Sequence, residues 1–241
     1  MSLLALFFHA QLFPYRQNPQ VYAGVQAVYD TYLGADAWVD YERLHQDAAA
    51  RARLQDFIAF AQSLDLVRIA DRNERLALFC NLYNVWTLEG VLRHWPVSSV
   101  KDIRPMMGFF TAPLWQLGGQ PSSLNDLERL WIRPLGPGTH FLINCASRSC
   151  PRLLPTVFTP EEVQAAMAAA AKSFLADTRL NRFDAQSGSW QLSRIFEWYE
   201  SDFGGRESMI QWVREQQPEL ASFPPKRLSY LEYDWSLNGR P

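Results

Sequence analysis

The stretch from Asp71 to Pro96, DRNERLALFCNLYNVWTLEGVLRHWP, decides how the rest of the chain is read. Asp71 can cap a helix start, Glu74 completes a capping box, and the pattern runs unbroken through Phe79, Leu82, Tyr83 and Trp86 towards Trp95-Pro96. Apolar residues fall on most faces, which predicts a central, buried helix rather than an amphipathic one at the surface. Asn81, Tyr83 and Asn84 interrupt that apolar surface. A buried amide left without partners costs about 1–3 kcal/mol, so these side chains are expected to brace something polar, either the loop after Cys145 or a neighbouring backbone.

On the N-terminal side, Asn18-Pro19 followed by Val21, Val25, Val28, Tyr29 and Tyr32, with Gly34 after them, predicts a helix with proline at its first position and a glycine stop. Leu54, Phe57, Ile58, Ala61 and Leu64 predict a second helix after Trp38-Val39-Asp40-Tyr41. Downstream the texture changes. Leu114 to Leu117, ending at Gly118-Gly119, predicts a strand and tight turn, and Ser122 or Ser123 caps a short helix carrying Glu128. Thr139 to Cys145 is a run of strand formers, followed by a loop from Ala146 to Pro155. Thr159-Pro160-Glu161-Glu162 starts an alanine-rich helix to Ala176, and a hairpin is expected around Ser187-Gly188. A helix from Ser193 ends at Gly204-Gly205, another extends to about Gln217, and Tyr230 to Trp235 is the last strand candidate. Helices first and mixed short elements afterwards, with no repeat or long linker, argue for one helix-rich α+β domain over residues 1–241. Its sheet is expected to be small and mainly antiparallel, compatible with a cysteine-peptidase-like arrangement.

The composition narrows the function classes. At 48% hydrophobic the 241 residues can build a sizeable core, while a net charge of −2 points to neither nucleic acid nor an anionic membrane. The many aromatic rings read first as core. Three cysteines, Cys80, Cys145 and Cys150, are too few for a disulfide framework. The opening Met1 to Phe8 is apolar but short, with no Lys or Arg before it and no clear cleavage site, so it makes a poor signal peptide. No apolar run approaches the roughly 18 residues a bilayer span needs. The expectation is a soluble protein of the cytoplasm or periplasm that takes a small-molecule or peptide substrate and no nucleic acid, its oligomeric state left open.

The segment His140-Phe-Leu-Ile-Asn-Cys145-Ala-Ser-Arg-Ser-Cys150-Pro151 is the candidate chemical centre. An imidazole beside a thiol is what a cysteine hydrolase needs, because it can take the thiol proton and leave the stronger nucleophile. In an ideal strand, however, His140 shares a face with Asn144 rather than Cys145 unless the strand ends or bulges there. Cys150, beside the cation of Arg148, is an equal candidate nucleophile, and a Cys145–Cys150 disulfide is the third arrangement. The alternative to all three is a non-catalytic binding or scaffold domain in which these residues merely pack and brace. His140, Cys145 and Cys150 do not match the usual metal-ligand spacings and no second cluster supplies a fourth ligand, so no metal is expected. Glu128 can orient a catalytic histidine. His9, His45 and His94 read as surface or helix-end residues. Walker-type loops, dinucleotide fingerprints, nucleophile elbows and zincin motifs are all missing, so no cofactor is expected.

Several segments together resemble the domain of unknown function 547 family: Val39-Asp40-Tyr41, Asn81-Leu82-Tyr83-Asn84, Leu124 to Glu128, His140 to Pro151, Leu192-Ser193 through Trp198-Tyr199 and Asp202-Phe203, and Tyr233 to Asn238. They span about residues 38 to 238. The family includes bacterial proteins, often exported, and the resemblance implies a cysteine-hydrolase role towards thiol peptides such as glutathione. Its pattern marks Glu128, His140, Asn144, Cys145, Arg148, Ser149 and Cys150. One departure is Arg129, where the family commonly has histidine. The expected activity is therefore that of a cysteine-dependent hydrolase or acyl transferase. Cys145 or Cys150 would attack, His140 would act as base and then acid, Glu128 or Asp234 would orient the imidazole, and loop amides near Arg148 would hold the oxyanion. Asn81, Tyr83, Asn84, Asn144, Arg148, Ser149 and Asp234 would line or brace the substrate site.

Overall fold

A computed structural model describes residues 18–220 and 223–239; the opening Met1 to Phe8 and His9 lie outside the described residues. Four helices make the first half: α1 (Pro19–Tyr32), α2 (Tyr41–Gln46), α3 (Ala48–Gln62) and α4 (Arg72–Arg93). The predicted second helix is in fact two. Asp47 ends α2 and caps α3 by accepting from the Ala50 amide at 2.9 Å. Asp71 caps α4 as expected, accepting from the Glu74 amide at 2.8 Å. Every residue of α4 from Leu76 to Leu92 is buried, so this helix is the axle on which the core is assembled.

Beyond α4 the elements shorten: α5 (Val100–Ile103), α6 (Gly108–Thr111), α7 (Leu124–Leu127), α8 (Val163–Ala176), α9 (Arg194–Trp198) and α10 (Arg206–Gln216). Strands β1 (Trp115–Leu117) and β2 (Gln120–Ser122) form an antiparallel hairpin whose two turn residues, Gly118 and Gly119, have φ of 56° and 76°, values that glycine adopts freely. Strands β3 (Arg182–Asp184) and β4 (Ser189–Leu192) pair antiparallel through the expected turn, and β5 (Arg227–Tyr230) joins β4 in parallel. The fold is thus helix-rich α+β with two small sheets where the sequence suggested one.

The strand expected over Thr139 to Cys145 is absent. A 3-10 turn, Pro137–Phe141, occupies its first half, and the rest is irregular. The physical reason lies in the partners of the backbone. Thr139 Oγ1 donates to the Gly136 carbonyl at 2.7 Å, and Asn84 grips the Leu142 carbonyl and the Asn144 amide at 3.0 and 2.8 Å. Side chains thus take the hydrogen bonds that a neighbouring strand would need. The last strand also lies earlier than expected. The segment after it runs antiparallel to the Ala146–Ser149 loop instead, with Arg148 N–H donating to Ser236 O at 2.9 Å and Asn238 N–H to Ala146 O at 2.9 Å.

Trp86 of α4 stacks on Trp115 at 5.1 Å between centroids, and Phe109 fits edge-on to Trp115 over Gly90. A Cβ at Gly90 would sit 2.5 Å from Phe109 Cε2, inside a fully packed region. Alanine has the better helix propensity by about 1 kcal/mol, but overpacking of this kind costs about 1–3 kcal/mol or more. Gly90→Ala is expected to lower the stability measured by urea denaturation, against the propensity trend.

Candidate active site

Asn84 and Asn144 build the loop that carries Cys145. With Asn84 holding Asn144 N–H, the Asn144 carboxamide is free to organise the residues after it. Its oxygen accepts from the Ala146 amide at 2.8 Å and from Asn238 Nδ2 at 3.0 Å, and its nitrogen donates to Pro151 O at 2.7 Å. Tyr41, from α2, donates its hydroxyl to Asn238 Oδ1 at 2.9 Å. These bonds hold Ala146 at φ 63°, a left-handed conformation costing a non-glycine residue about 1–3 kcal/mol. The chain therefore turns sharply just after Cys145. Asn81 braces a different segment, exchanging two 2.9 Å hydrogen bonds with the Phe158 backbone.

Cys145 is half-buried and lines a pocket of about 510 Å³. Its sulfur lies 3.0 Å from Ser147 Oγ and 3.3 Å from the Tyr233 hydroxyl. Cys145 N–H donates to Cys150 Sγ at 2.8 Å, and all three cysteines are free thiols. Burial alone would push the Cys145 thiol up. Hydrogen bonds from the Cys150 thiol, the Ser147 and Tyr233 hydroxyls and the Ser147 amide outweigh it and bring the group down to about 7. Burial pushes Cys150 well above the usual thiol range, and its hydrogen bond to Cys145 adds to the rise. Cys80, buried in α4, is likewise pushed up by burial. Of the two candidate sulfurs, Cys145 lines the pocket, while buried Cys150 accepts the Cys145 amide and its own thiol faces the Ile143 carbonyl.

Glu128 lines the same pocket. It comes directly after α7, whose start is fixed by a capping box between Ser123 and Asp126, and it opens a π-helical turn, Glu128–Ile132. Such turns recur at functional sites because they push one residue out of the helical register. Arg129, the departure from the family pattern, is exposed and ion-paired to Asp126 at 3.7 Å, away from the pocket lining.

His140 sits behind this wall. Its Nε2 is 2.8 Å from Asp202 Oδ2 and its Nδ1 is 4.0 Å from Glu128 Oε1, so both ring nitrogens face carboxylates. Among the described residues, these acids and not the sulfurs are its polar partners. The ring is held against Tyr199, 4.0 Å between centroids, and Arg133 grips Asp202 through bonds of 2.6 and 2.7 Å. Burial raises the Asp202 carboxyl, but the hydrogen bonds from His140 and Arg133 overcome that and hold it well below the ordinary carboxylate range. The histidine's acid is thus Asp202, whereas Asp234 is spent elsewhere. Asp234 exchanges bonds with Ser149: its carbonyl accepts from the Ser149 amide at 3.2 Å, its own amide donates to Ser149 Oγ at 2.8 Å, and its carboxylate accepts from the Ser236 amide. The Arg148 guanidinium lies over the Trp38 ring at 4.5 Å, and the amides of Arg148 and Ser149 are occupied by carbonyls of residues 236 and 234, so neither is free for an oxyanion.

The structure therefore brings Tyr83, Glu128 and Cys145 to one pocket and stations Asn84, Asn144, Cys150 and His140 around it. Tyr199, Asp202, Arg133, Ser147 and Tyr233 were not singled out in the sequence. All of these except Arg133 did fall in segments that carried the family resemblance, which was the one available signal.

The class these features define is a helix-rich α+β domain in which a half-buried cysteine and a glutamate line one pocket with a buried histidine behind it. Residues 67–175 match the model of the family described as "Protein of unknown function, DUF547". The matched span takes in α4, Glu128, His140, Cys145 and Cys150, and stops short of Tyr199, Asp202 and Tyr233. No curated protein and no solved structure matches the chain.

Alkylation of the folded protein by iodoacetamide, with peptide mass mapping, is expected to label Cys145 with a rate that rises with pH and reaches half its plateau near pH 7, while Cys80 and Cys150 stay unlabelled. Tyr233→Phe, which removes one donor to the sulfur, is expected to move that midpoint upward. Asp202 has a depressed folded-state value, so its contribution to stability is present above the unfolded carboxyl value of about 3.9 and is lost as pH falls. The stability gap between wild type and Asp202→Asn, measured by urea denaturation, should be widest above about pH 5 and narrow towards about pH 2.

Proposed function

We propose that this protein is a cysteine-dependent hydrolase or acyl transferase acting on a small peptide or a thiol-containing amide. The observation that carries the reading is Cys145 Sγ, opening on the pocket within hydrogen-bond reach of the Ser147 and Tyr233 hydroxyls, which can stabilise its thiolate. The Cys145 thiolate attacks the substrate carbonyl, forming the C–S bond. Glu128, a carboxylate on the same pocket wall, takes the proton that the Cys145 thiol gives up and passes it to the leaving amine or thiol as its bond to the acyl carbon breaks. Water, or an acceptor amine or thiol, then attacks the thioester; Glu128 takes the proton and Cys145 is released as thiolate.

His140 acts here through Glu128 rather than on the sulfur, since its ring is locked between Tyr199 and Asp202. It is a positioning residue. Burial holds the phenol of Tyr83, which lines the pocket, far above its ordinary range, so it remains a neutral donor for a developing oxyanion.

The test is turnover on a panel of dipeptides, glutathione, esters and thioesters. Cys145→Ala is expected to abolish turnover, Glu128→Gln to lower kcat by about 10²–10⁴-fold, as loss of a general acid–base does, and Cys150→Ala to retain measurable turnover with its pH midpoint moved up. His140→Ala is expected to shift the pH profile as well as lower kcat. Equal turnover in wild type and Cys145→Ala overturns the mechanism.

A further inference from the structure

The walls of the Cys145 pocket carry more information than the position of the sulfur. Four aromatic residues, Phe110, Trp198, Tyr199 and Trp235, stand among its lining residues. Trp198 stacks on Trp235 with centroids 5.6 Å apart, Phe110 lies 6.2 Å from Trp235, and Trp198 is 45% exposed, so part of this aromatic surface is accessible. Glu128 is the single carboxylate among the lining residues, and neither Lys nor Arg stands among them. Of the nearby cations, two are paired with carboxylates outside the pocket lining and the third, Lys101, stands over one of its rings. Arg133 is bonded to Asp202 and lies over Tyr199 at 5.2 Å, Arg129 is paired with Asp126, and Lys101 Nζ is 5.7 Å from the Trp235 ring centroid.

Aromatic faces attract cations through the ring quadrupole, and a carboxylate beside them supplies the matching charge. An anion entering the same space meets Glu128 with no lining cation to offset it. Resting on the reading that Cys145 is the reacting sulfur of this pocket, we propose that its substrate is an amine-bearing acyl compound with a flat apolar group. The ammonium would sit between Glu128 and the tryptophans, and the acyl carbon would face Cys145. Net-anionic thiol peptides are then the poorer class of substrate.

Charge preference can be measured without turnover. Three chloroacetamides serve as probes: N-benzyl, N-(4-aminomethyl)benzyl and N-(4-carboxy)benzyl. In each, the Cys145 sulfur bonds to the methylene carbon, chloride leaves with the bonding pair, and the thiol proton goes to solvent. Second-order rates at low ionic strength are divided by those for N-acetylcysteine, removing intrinsic reactivity. The ammonium probe is expected to label Cys145 about 10-fold faster than the neutral one, within the range set by cation–π and ion-pair contacts, and the carboxylate probe slower than both. Glu128→Gln should collapse the ammonium-to-neutral ratio to within about 3-fold, even if it changes all three rates, because the ratio cancels altered thiol reactivity. Trp235→Leu should reduce the same ratio, with folding of both variants checked by thermal melting. Equal rates for the three probes, or a preference for the carboxylate, overturns the proposal, the latter assigning the selectivity to Lys101. A hydrolase with flat probe preference sinks only this inference, whereas charge-selective labelling without turnover sinks only the hydrolase reading.

Discussion

The pairing of two carboxamides, Asn84 on the central helix and Asn144 in the loop beyond it, is the constraint on which the site depends. Asn84 lies in a helix whose surroundings are otherwise apolar, and a buried amide there must be satisfied. Its partners are the Leu142 carbonyl and the Asn144 amide. Asn144 in turn fixes Ala146, Pro151 and Asn238. One chain of hydrogen bonds thus runs from the middle of the core to the sharp turn after Cys145 and on to the last described residues. The strained turn persists because more bonds hold it than it needs.

The electrostatics of the site are set by that frame. Cys145 has the hydroxyls of Tyr233 and Ser147 beside its sulfur, Ser147 donating to Tyr233 Oη at 3.0 Å, and a hydroxyl proton turned to the sulfur stabilises its negative form. His140 is surrounded by acids, with the Arg133 guanidinium closing the far end of the row. The row Arg133, Asp202, His140, Glu128 alternates in kind, so that each group faces one with which it can share a proton or charge. It delivers a carboxylate to the pocket, not an imidazole. The imidazole stands behind that carboxylate at 4.0 Å, and Tyr199 packs over its ring while bonding to Glu128 itself.

The aromatic residues divide along the same lines. Trp86, Trp115 and Phe109 are packed around Gly90 and serve the core, as the composition implied. Trp198, Tyr233 and Trp235 form a cluster with centroids 4.6 to 5.6 Å apart, in which Tyr233 bonds the cysteine and the two indoles line the pocket. Residues from two distant parts of the chain meet here because the segment after β5 runs back along the Cys145 loop.

Elements whose causes are local were legible in the sequence. The Asp71 cap and the unbroken apolar pattern specified α4, the Gly118-Gly119 pair the hairpin, and Ser122 or Ser123 the start of a short helix, whose cap is Ser123 and which ends one residue before Glu128. The sequence also marked the residues of the chemical segment, and required that Asn81 and Asn84 find partners. The identity of those partners was settled by tertiary structure alone. The run from Thr139 to Cys145 has strand-forming side chains, yet its backbone is claimed by Asn84, a residue 60 positions away from Asn144. The pairing of His140 with Asp202 spans 62 positions, and that of Cys145 with Tyr233 spans 88. Side-chain propensity and periodicity report the neighbours a residue has along the chain. Which carboxylate meets the histidine, and which hydroxyl meets the sulfur, depends on how buried polar groups are satisfied across the fold, and that is fixed only when the core closes around them.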